Sequence, residues 1–484
     1  MDNDGRLGLP YGVDRGTQRE VARNVKTPQP TAVCPWCGAP GRTAWGTCGT
    51  CGRYYLAGGW DRVRRGNHPF WWIAAGLGMV LVLCIWLGYP FLPNPLILLF
   101  KQPTTTLSSG SAANQWAMWG LDLQQRRYVA EPPRLLEGRL SWSADLGTPT
   151  RSVPVIADEV IYIGGHFQVL ALDAHTGHTL WEIPTTGPVH TSPAVAGDML
   201  YIGLQDRRVL ALHRQTGKIL WEFTMQSSVS GSASVAGGMI YIGSMDGHLY
   251  ALDAANGRLI WEFKSVDQAL SPPAIDTKTL FLSSGDGSLY AMDARTGQSW
   301  LRFRTPERLH DTPVVANGLV YFPSGGQLYA VSADARELPG QYQFTLVWAQ
   351  FWLWQFPVPR PPGQPGGRWR FSPAQPSGWI ISAPAVAPDA LYVGDTNGQF
   401  YAREATTGDA LWQVKAGAAI MASPVIIGSH VYFGALDGVL YALDRAHGAI
   451  LWKFGFEAPI QASPVVASGR LYVRTQDGWL HCIE

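Results

Sequence analysis

The chain has 484 residues and a formal net charge of +1, a balance that argues against nucleic acid or an anionic surface as its main partner. Its 54 glycines, 35 prolines and 21 tryptophans describe many short strands with frequent turns, the composition of an all-β sandwich, barrel or propeller. The C-terminal region holds one cysteine, Cys482, which excludes a disulfide framework there, so a core must hold the fold.

Residues 1–30 are polar, mixed in charge and predicted to be disordered. Residues 31–55 carry two short cysteine pairs, Cys34-Pro-Trp-Cys37-Gly and Cys48-Gly-Thr-Cys51-Gly. Two thiolates spaced in this way reach one ion from a single tight turn. Two such turns complete a tetrahedral site with no open position, so Cys34, Cys37, Cys48 and Cys51 are the predicted ligands of a structural zinc ribbon. Two equally spaced pairs argue against a redox dithiol, and a reducing cytoplasm suits free thiolates.

No charged residue occurs from Pro69 to Phe100. Residues 70–89 are almost wholly apolar, and about 20 residues at 1.5 Å each span the roughly 30 Å of a bilayer core. A single transmembrane helix is predicted there, stopped by Pro90, Pro93 and Pro95 and flanked by the interfacial aromatics Phe70, Trp71, Trp72 and Tyr89. Its distance from residue 1 argues against a cleaved signal peptide. Leu81-Val82-Leu83 before Cys84 lacks the small residue of a lipoprotein site. Arg53, Arg62, Arg64 and Arg65 precede the run and Lys101 follows it. Positive charge stays inside, which places the ribbon in the cytoplasm and the rest of the chain outside. Residues 101–139 form a linker, Thr- and Ser-rich and loose over 101–115, and a lead-in segment.

Residues 140–484 repeat. Tryptophans close successive units at Trp142, Trp181, Trp221, Trp261, Trp300, Trp348, Trp412 and Trp452, and a second landmark recurs at Pro154, Pro193, Ser232, Pro272, Pro313, Pro384, Pro424 and Pro464. Within residues 424–452 the apolar alternation gives four strands, with Asp437-Gly438 as the hairpin turn between the second and third. Asp246-Gly247, Asp286-Gly287 and Asp477-Gly478 repeat it. Four antiparallel strands about every 40 residues make a propeller blade, and eight units make an eight-bladed ring. The region opens at Leu140-Ser-Trp142 like a fourth strand and ends at Leu480-His-Cys-Ile-Glu484 like a third, so the first strand is predicted to complete the last blade.

The segment Ala171-Leu-Asp173-Ala-His-Thr176-Gly177-His-Thr-Leu-Trp181 resembles the tryptophan-docking motif of the pyrroloquinoline-quinone (PQQ) repeat propellers. Ala211–Trp221, Ala251–Trp261, Ala402–Trp412 and Ala442–Trp452 follow it with changes. His213 and Glu404 replace the Asp, and Asn256 and His447 the Thr. Trp116-Ala-Met118-Trp-Gly120-Leu-Asp122 resembles the lead-in of small members. The resemblance implies structural docking roles for Trp142, Trp181, Trp221, Trp261, Trp300, Trp412 and Trp452.

That family includes quinoprotein dehydrogenases and non-enzymatic scaffolds such as the lipoprotein that helps assemble outer-membrane barrels. Many of the enzymes share a vicinal cysteine pair, acidic and Asn calcium ligands, and long insertions. This chain has no Cys-Cys pair, mostly minimal units, and no H-E-x-x-H, G-x-S-x-G or P-loop pattern. The reading is therefore non-catalytic, without PQQ. His190, His310 and Asp311 share one edge of the ring, where a metal site is the alternative to ordinary turn residues. Residues 331–383 exceed the repeat, and their Trp352, Trp354 and Trp369 are candidate partner-binding residues; the alternative is an insertion that covers its own blade. The expected function is an extracytoplasmic protein-binding scaffold on a single-pass anchor. A ligand sensor coupled to cytosolic partners of the ribbon is the alternative, and a PQQ-dependent dehydrogenase the less favoured one.

Overall fold

The computed structural model describes residues 76–80, 94–108, 115–130, 136–147, 151–267, 271–309, 311–373 and 378–484. Cys34, Cys37, Cys48, Cys51 and His310 lie outside these. So does most of the 70–89 run, of which residues 76–80 are helical. Among the described residues no helix is long and apolar enough to cross a membrane.

Eight sheets form the ring. Blades 1 to 7 span residues 155–184, 194–224, 234–264, 274–304, 314–371, 385–415 and 425–455; blade 8 joins residues 465–483 to the early strand β2 (Leu140–Asp145). The first three strands of a blade are sandwiched between neighbouring blades, and Val155–Ala157 and Val160–Gly164 are buried almost throughout. The fourth meets water on one side, so Thr179–Pro184 alternates between exposed and half-buried residues. β2 lies antiparallel to Trp479–Ile483 with Trp142 opposite Cys482, the predicted closure. Asp437-Gly438 belongs to a four-residue connection, residues 435–438, rather than a two-residue turn. Asp437 Oδ1 accepts from the Val439 amide at 3.1 Å, a local bond that suits Asp to this turn.

The lead-in segment is part of the ring. Its strand β1 (Tyr128–Val129) pairs in parallel with Val425–Ile427 of blade 7. Before that, the amides of Ile156, Val195, Ile275, Val315, Val386 and Ile426 donate to the carbonyls of Trp116, Ala117, Leu123, Gln124, Arg126 and Arg127. The segment thus circles the axis along the innermost strands of six blades and seals the channel beside the turns between first and second strands.

The linker is fixed over residues 101–108, contrary to the loose segment expected. Thr104 donates from its amide and hydroxyl to the Asp253 carboxylate at 2.9 Å each. Gly238 N–H donates to Leu107 O at 2.7 Å, and Gly237 N–H to Ser108 Oγ at 2.8 Å. Ahead of it, helix α1 (Pro95–Phe100) is capped by Asn94 and packs Ile97 on the core around Ile260 and Trp261. Ile260 is fully buried, whereas Leu220, at the same register in blade 2, is 46% exposed. Apolar burial of this kind holds the segment to blade 3.

Candidate functional site

The contacts that build the ring and the surfaces that face outward use different side chains. The docking tryptophans belong to the first. Trp221 lies opposite Ala211, its Nε1 donates to Ala254 O at 3.0 Å, and Tyr201 Oη donates to the same carbonyl at 3.0 Å. Burial pushes that phenol's pKa up. Trp142, Trp181, Trp261, Trp412 and Trp452 donate likewise to Ala174, Arg214, Ala294, Arg445 and Leu136. Each ring lies flat on the next blade's turn. A Cβ built on Gly257, whose φ is +73°, would sit 2.6 Å from Cε3 of Trp221, so only glycine fits beneath it.

Three tryptophans move from their predicted roles. In blade 4 the register places Leu301, not Trp300, opposite Ala291. Trp300 instead stacks under the Arg336 guanidinium at 4.2 Å. Phe281 stands there where other blades carry the docking tyrosine. The cause is in blade 5, whose connection from third to fourth strand is the long insertion and not a Thr-Gly turn, so no glycine awaits a tryptophan. In blade 5 the docking residue is Trp369, opposite Ala330 and 5.9 Å from the Tyr321 ring. It stacks on Gly408 of blade 6, so it is structural rather than partner-binding. Trp348 lies on helix α2 (Gln341–Leu353) and donates to Pro359 O at 2.8 Å. Trp352 and Trp354 are exposed, at 42% and 62%.

The residues before each innermost strand form the other mouth of the ring. Serines there link neighbours: Ser192 Oγ accepts from Val153 N–H at 2.8 Å, and Ser232 Oγ from Ser192 N–H at 2.7 Å. Within lies a funnel of two adjoining lobes, about 520 and 530 Å³, which share Trp119, Arg151, His190 and Asp311. Arg127, buried under the funnel, faces the ring of Trp119 at 5.8 Å. Arg474 is also buried and donates to Ser152 O at 2.9 Å; burial pulls its pKa down to about 10. Burial, then the charges of Arg151, Arg474 and His166, hold the His190 imidazole below its usual range. Asp311 stands opposite this cationic wall. One of its oxygens accepts from Thr312 N–H at 2.7 Å, the other from Ala383 N–H at 2.8 Å and Ser423 Oγ at 3.4 Å. It therefore ties blade 5 to blades 6 and 7.

The fold raises PQQ and calcium, and the described funnel residues do not fit the calcium. Calcium takes six to eight oxygen ligands, whereas the described funnel lining offers one carboxylate, Asp311, already bonded to two neighbouring blades. No group of three or more His, Cys, Asp or Glu that could hold a metal occurs among the described residues. The one described cysteine, Cys482, is buried in blade 8. Sequence reasoning placed His190 and Asp311 on one mouth and overlooked Arg474, whose strand position carries no motif.

A different set of side chains faces outward around the funnel. Phe167, Met245 and Trp479 stand at second-to-third strand hairpins, Val266 follows blade 3 and Trp379 precedes blade 6; all five are exposed.

A family model described as "Outer membrane protein assembly factor BamB" matches residues 134–228, 205–342, 362–453 and 424–484. Among solved structures, BamB from Moraxella catarrhalis is similar at 19% identity and a TM-score of 0.56, over 72% of this chain and 97% of its own. Quinohemoprotein alcohol dehydrogenase from Comamonas testosteroni is similar at 15% and 0.62, over 77% and 81%. At these identities both show the fold alone. No curated protein matches the chain. With the docking geometry repeated round the ring and the model matching most of it, the chain belongs to the PQQ-repeat family described as outer membrane protein assembly factor BamB.

Proposed function

We propose that the chain is a non-catalytic scaffold, anchored in a membrane by residues 70–89, whose ring presents its funnel face to protein partners. The observation that carries this is the set of exposed apolar residues Phe167, Met245, Val266, Trp379 and Trp479 around the funnel. Single exposed apolar residues are ordinary. Several round one concave mouth, three of them aromatic, supply rigid anchors at low entropic cost, the chemistry of protein-binding hot spots. Membership in a family described by assembly of other proteins supports the same reading. On this reading the ribbon of Cys34, Cys37, Cys48 and Cys51 holds structural zinc on the cytoplasmic side, and the ring lies outside.

The sensor reading gains one supporting observation. Residues 101–108 are bound to blade 3, so the stalk below the ring is stiffer than a loose linker. Cross-linking of the full chain in its own membranes tests both readings, with a photoreactive residue at Phe167. Envelope-protein adducts that disappear on Trp379→Ser and Trp479→Ser are expected. Adducts insensitive to those changes would refute the scaffold, and ligand-dependent links from the ribbon to cytosolic proteins would establish the sensor.

A further inference from the structure

The blade 5 insertion is apolar in an unusual way. No charged residue occurs from 338 to 359, and no residue of α2 is buried. Phe344, Leu346, Val347, Phe351, Trp352 and Leu353 point to every side of the helix and are all exposed. A helix that docks a folded partner keeps one side on its own domain and shows an apolar stripe. One with apolar side chains on every side has no face suited to water and is covered by its surroundings. Among the described residues the segment packs on itself and on the rim: Phe351 meets Phe356 edge-on at 5.4 Å, and Arg304 covers Tyr342 at 3.8 Å.

The cations and the stalk indicate which surroundings those are. Exposed Arg336, Arg360, Arg368 and Arg370 bracket the uncharged stretch. Arginines flanking an apolar, Trp-bearing helix suit a bilayer surface, where long cationic side chains reach headgroups and aromatic rings take the interface. The insertion leaves and re-enters the ring between the third and fourth strands of blade 5, on the face sealed by the lead-in segment. The stalk docks on that same face. Its helix α1 turns Leu96, Leu99 and Phe100 outward, each at least 64% exposed. Five residues separate position 89 from α1, a reach of at most about 18 Å when extended.

We infer that the sealed face of the ring rests on a lipid surface, with α2 and the outer side of α1 seated among headgroups and acyl chains. This rests on the membrane-anchor reading, and it leaves the funnel pointing away from the bilayer.

Photo-crosslinking in vesicles of phosphatidylcholine and phosphatidylglycerol tests it, using the full chain with p-benzoylphenylalanine placed singly at Phe344, Trp354, Leu83 or Phe167. Each variant is first shown to melt like the parent. Lipid adducts at Phe344 and Trp354 at least tenfold above Phe167 are expected. Adducts at Leu83 without them at Phe344 and Trp354 overturn the inference and leave the anchor standing. Adducts at Phe344 and Trp354 with Leu83 silent support the inference and remove the anchor. Silence at all of these positions removes both. Chain-to-chain adducts at Phe344 in place of lipid also overturn it, since a second copy would then cover the helix.

Discussion

Replacing Gly257 by alanine separates the docking contact from the backbone conformation that accompanies it. Alanine at φ +73° pays about 1–2 kcal/mol for the left-handed region. Its Cβ would also stand 2.6 Å from Cε3 of Trp221. That ring is held by the bond to Ala254 O and by its neighbours, and the overpacking adds about 1–3 kcal/mol. Gly318, at φ +70° with nothing within 4 Å of a built Cβ, pays the backbone cost alone. Unfolding entropy of about 2.1 cal/mol/K per residue over roughly 345 residues makes each kcal/mol worth about 1.4 °C. Gly257→Ala should therefore lower the melting temperature by about 3–7 °C, and Gly318→Ala by about 1–3 °C. In a Trp221→Leu background, which copies the natural Leu301, the extra cost of Gly257→Ala should vanish, a coupling of about 1–3 kcal/mol. Calorimetric melting of the four variants measures it. Equal effects at the two glycines, or additivity with Trp221→Leu, would refute the claim that the tryptophan requires glycine beneath it.

Deleting residues 139–146 removes β2 and leaves blade 8 with three strands and an open edge; aggregation or a sharply lower melting temperature is expected, and unchanged melting would place closure elsewhere. Elemental analysis of the full chain should give one zinc per chain, and Cys37→Ser should lose it. Burial holds the imidazoles of His190, His430 and His481 below their ordinary range. The unfolded chain therefore binds more protons just below about pH 6.5, so stability is full above that value and falls as pH drops through the folded values. Melting should be lower at pH 5 than at pH 7.5, with a smaller difference in His481→Gln.

Most of the ring was legible because its packing is side-chain specific: each docking tryptophan needs a large flat ring at one register position, and each next turn needs a glycine. Where residue type was followed instead of register, the reading slipped. The glycine of each third-to-fourth strand turn stands four residues before the position in question, as Gly257 does before Trp261, and Gly297 counted in the same way leads to Leu301. Trp348 attracted the fifth unit because α2 is rich in tryptophan, while the strand that pairs with Gln327–Ser332 begins only at Gly367. The lead-in is legible as a motif over residues 116–122, but its path along six blades is not, since those bonds run from backbone to backbone. The funnel was half legible. His190 and Asp311 sit at landmark positions, whereas Arg474 replaces a small residue inside a strand, and its neighbours are set by ring closure.

Titration of the full chain with PQQ in the presence of calcium tests the central claim most directly, because it separates the two branches that share this fold. Metal-assisted quinone chemistry needs a cation polarising a carbonyl and a base for the substrate proton. Here the one funnel carboxylate described is bonded to Thr312, Ala383 and Ser423. The scaffold account predicts no binding heat at micromolar PQQ and no dye reduction with alcohols or sugars. Micromolar or tighter calcium-dependent binding, or turnover above background, would contradict it.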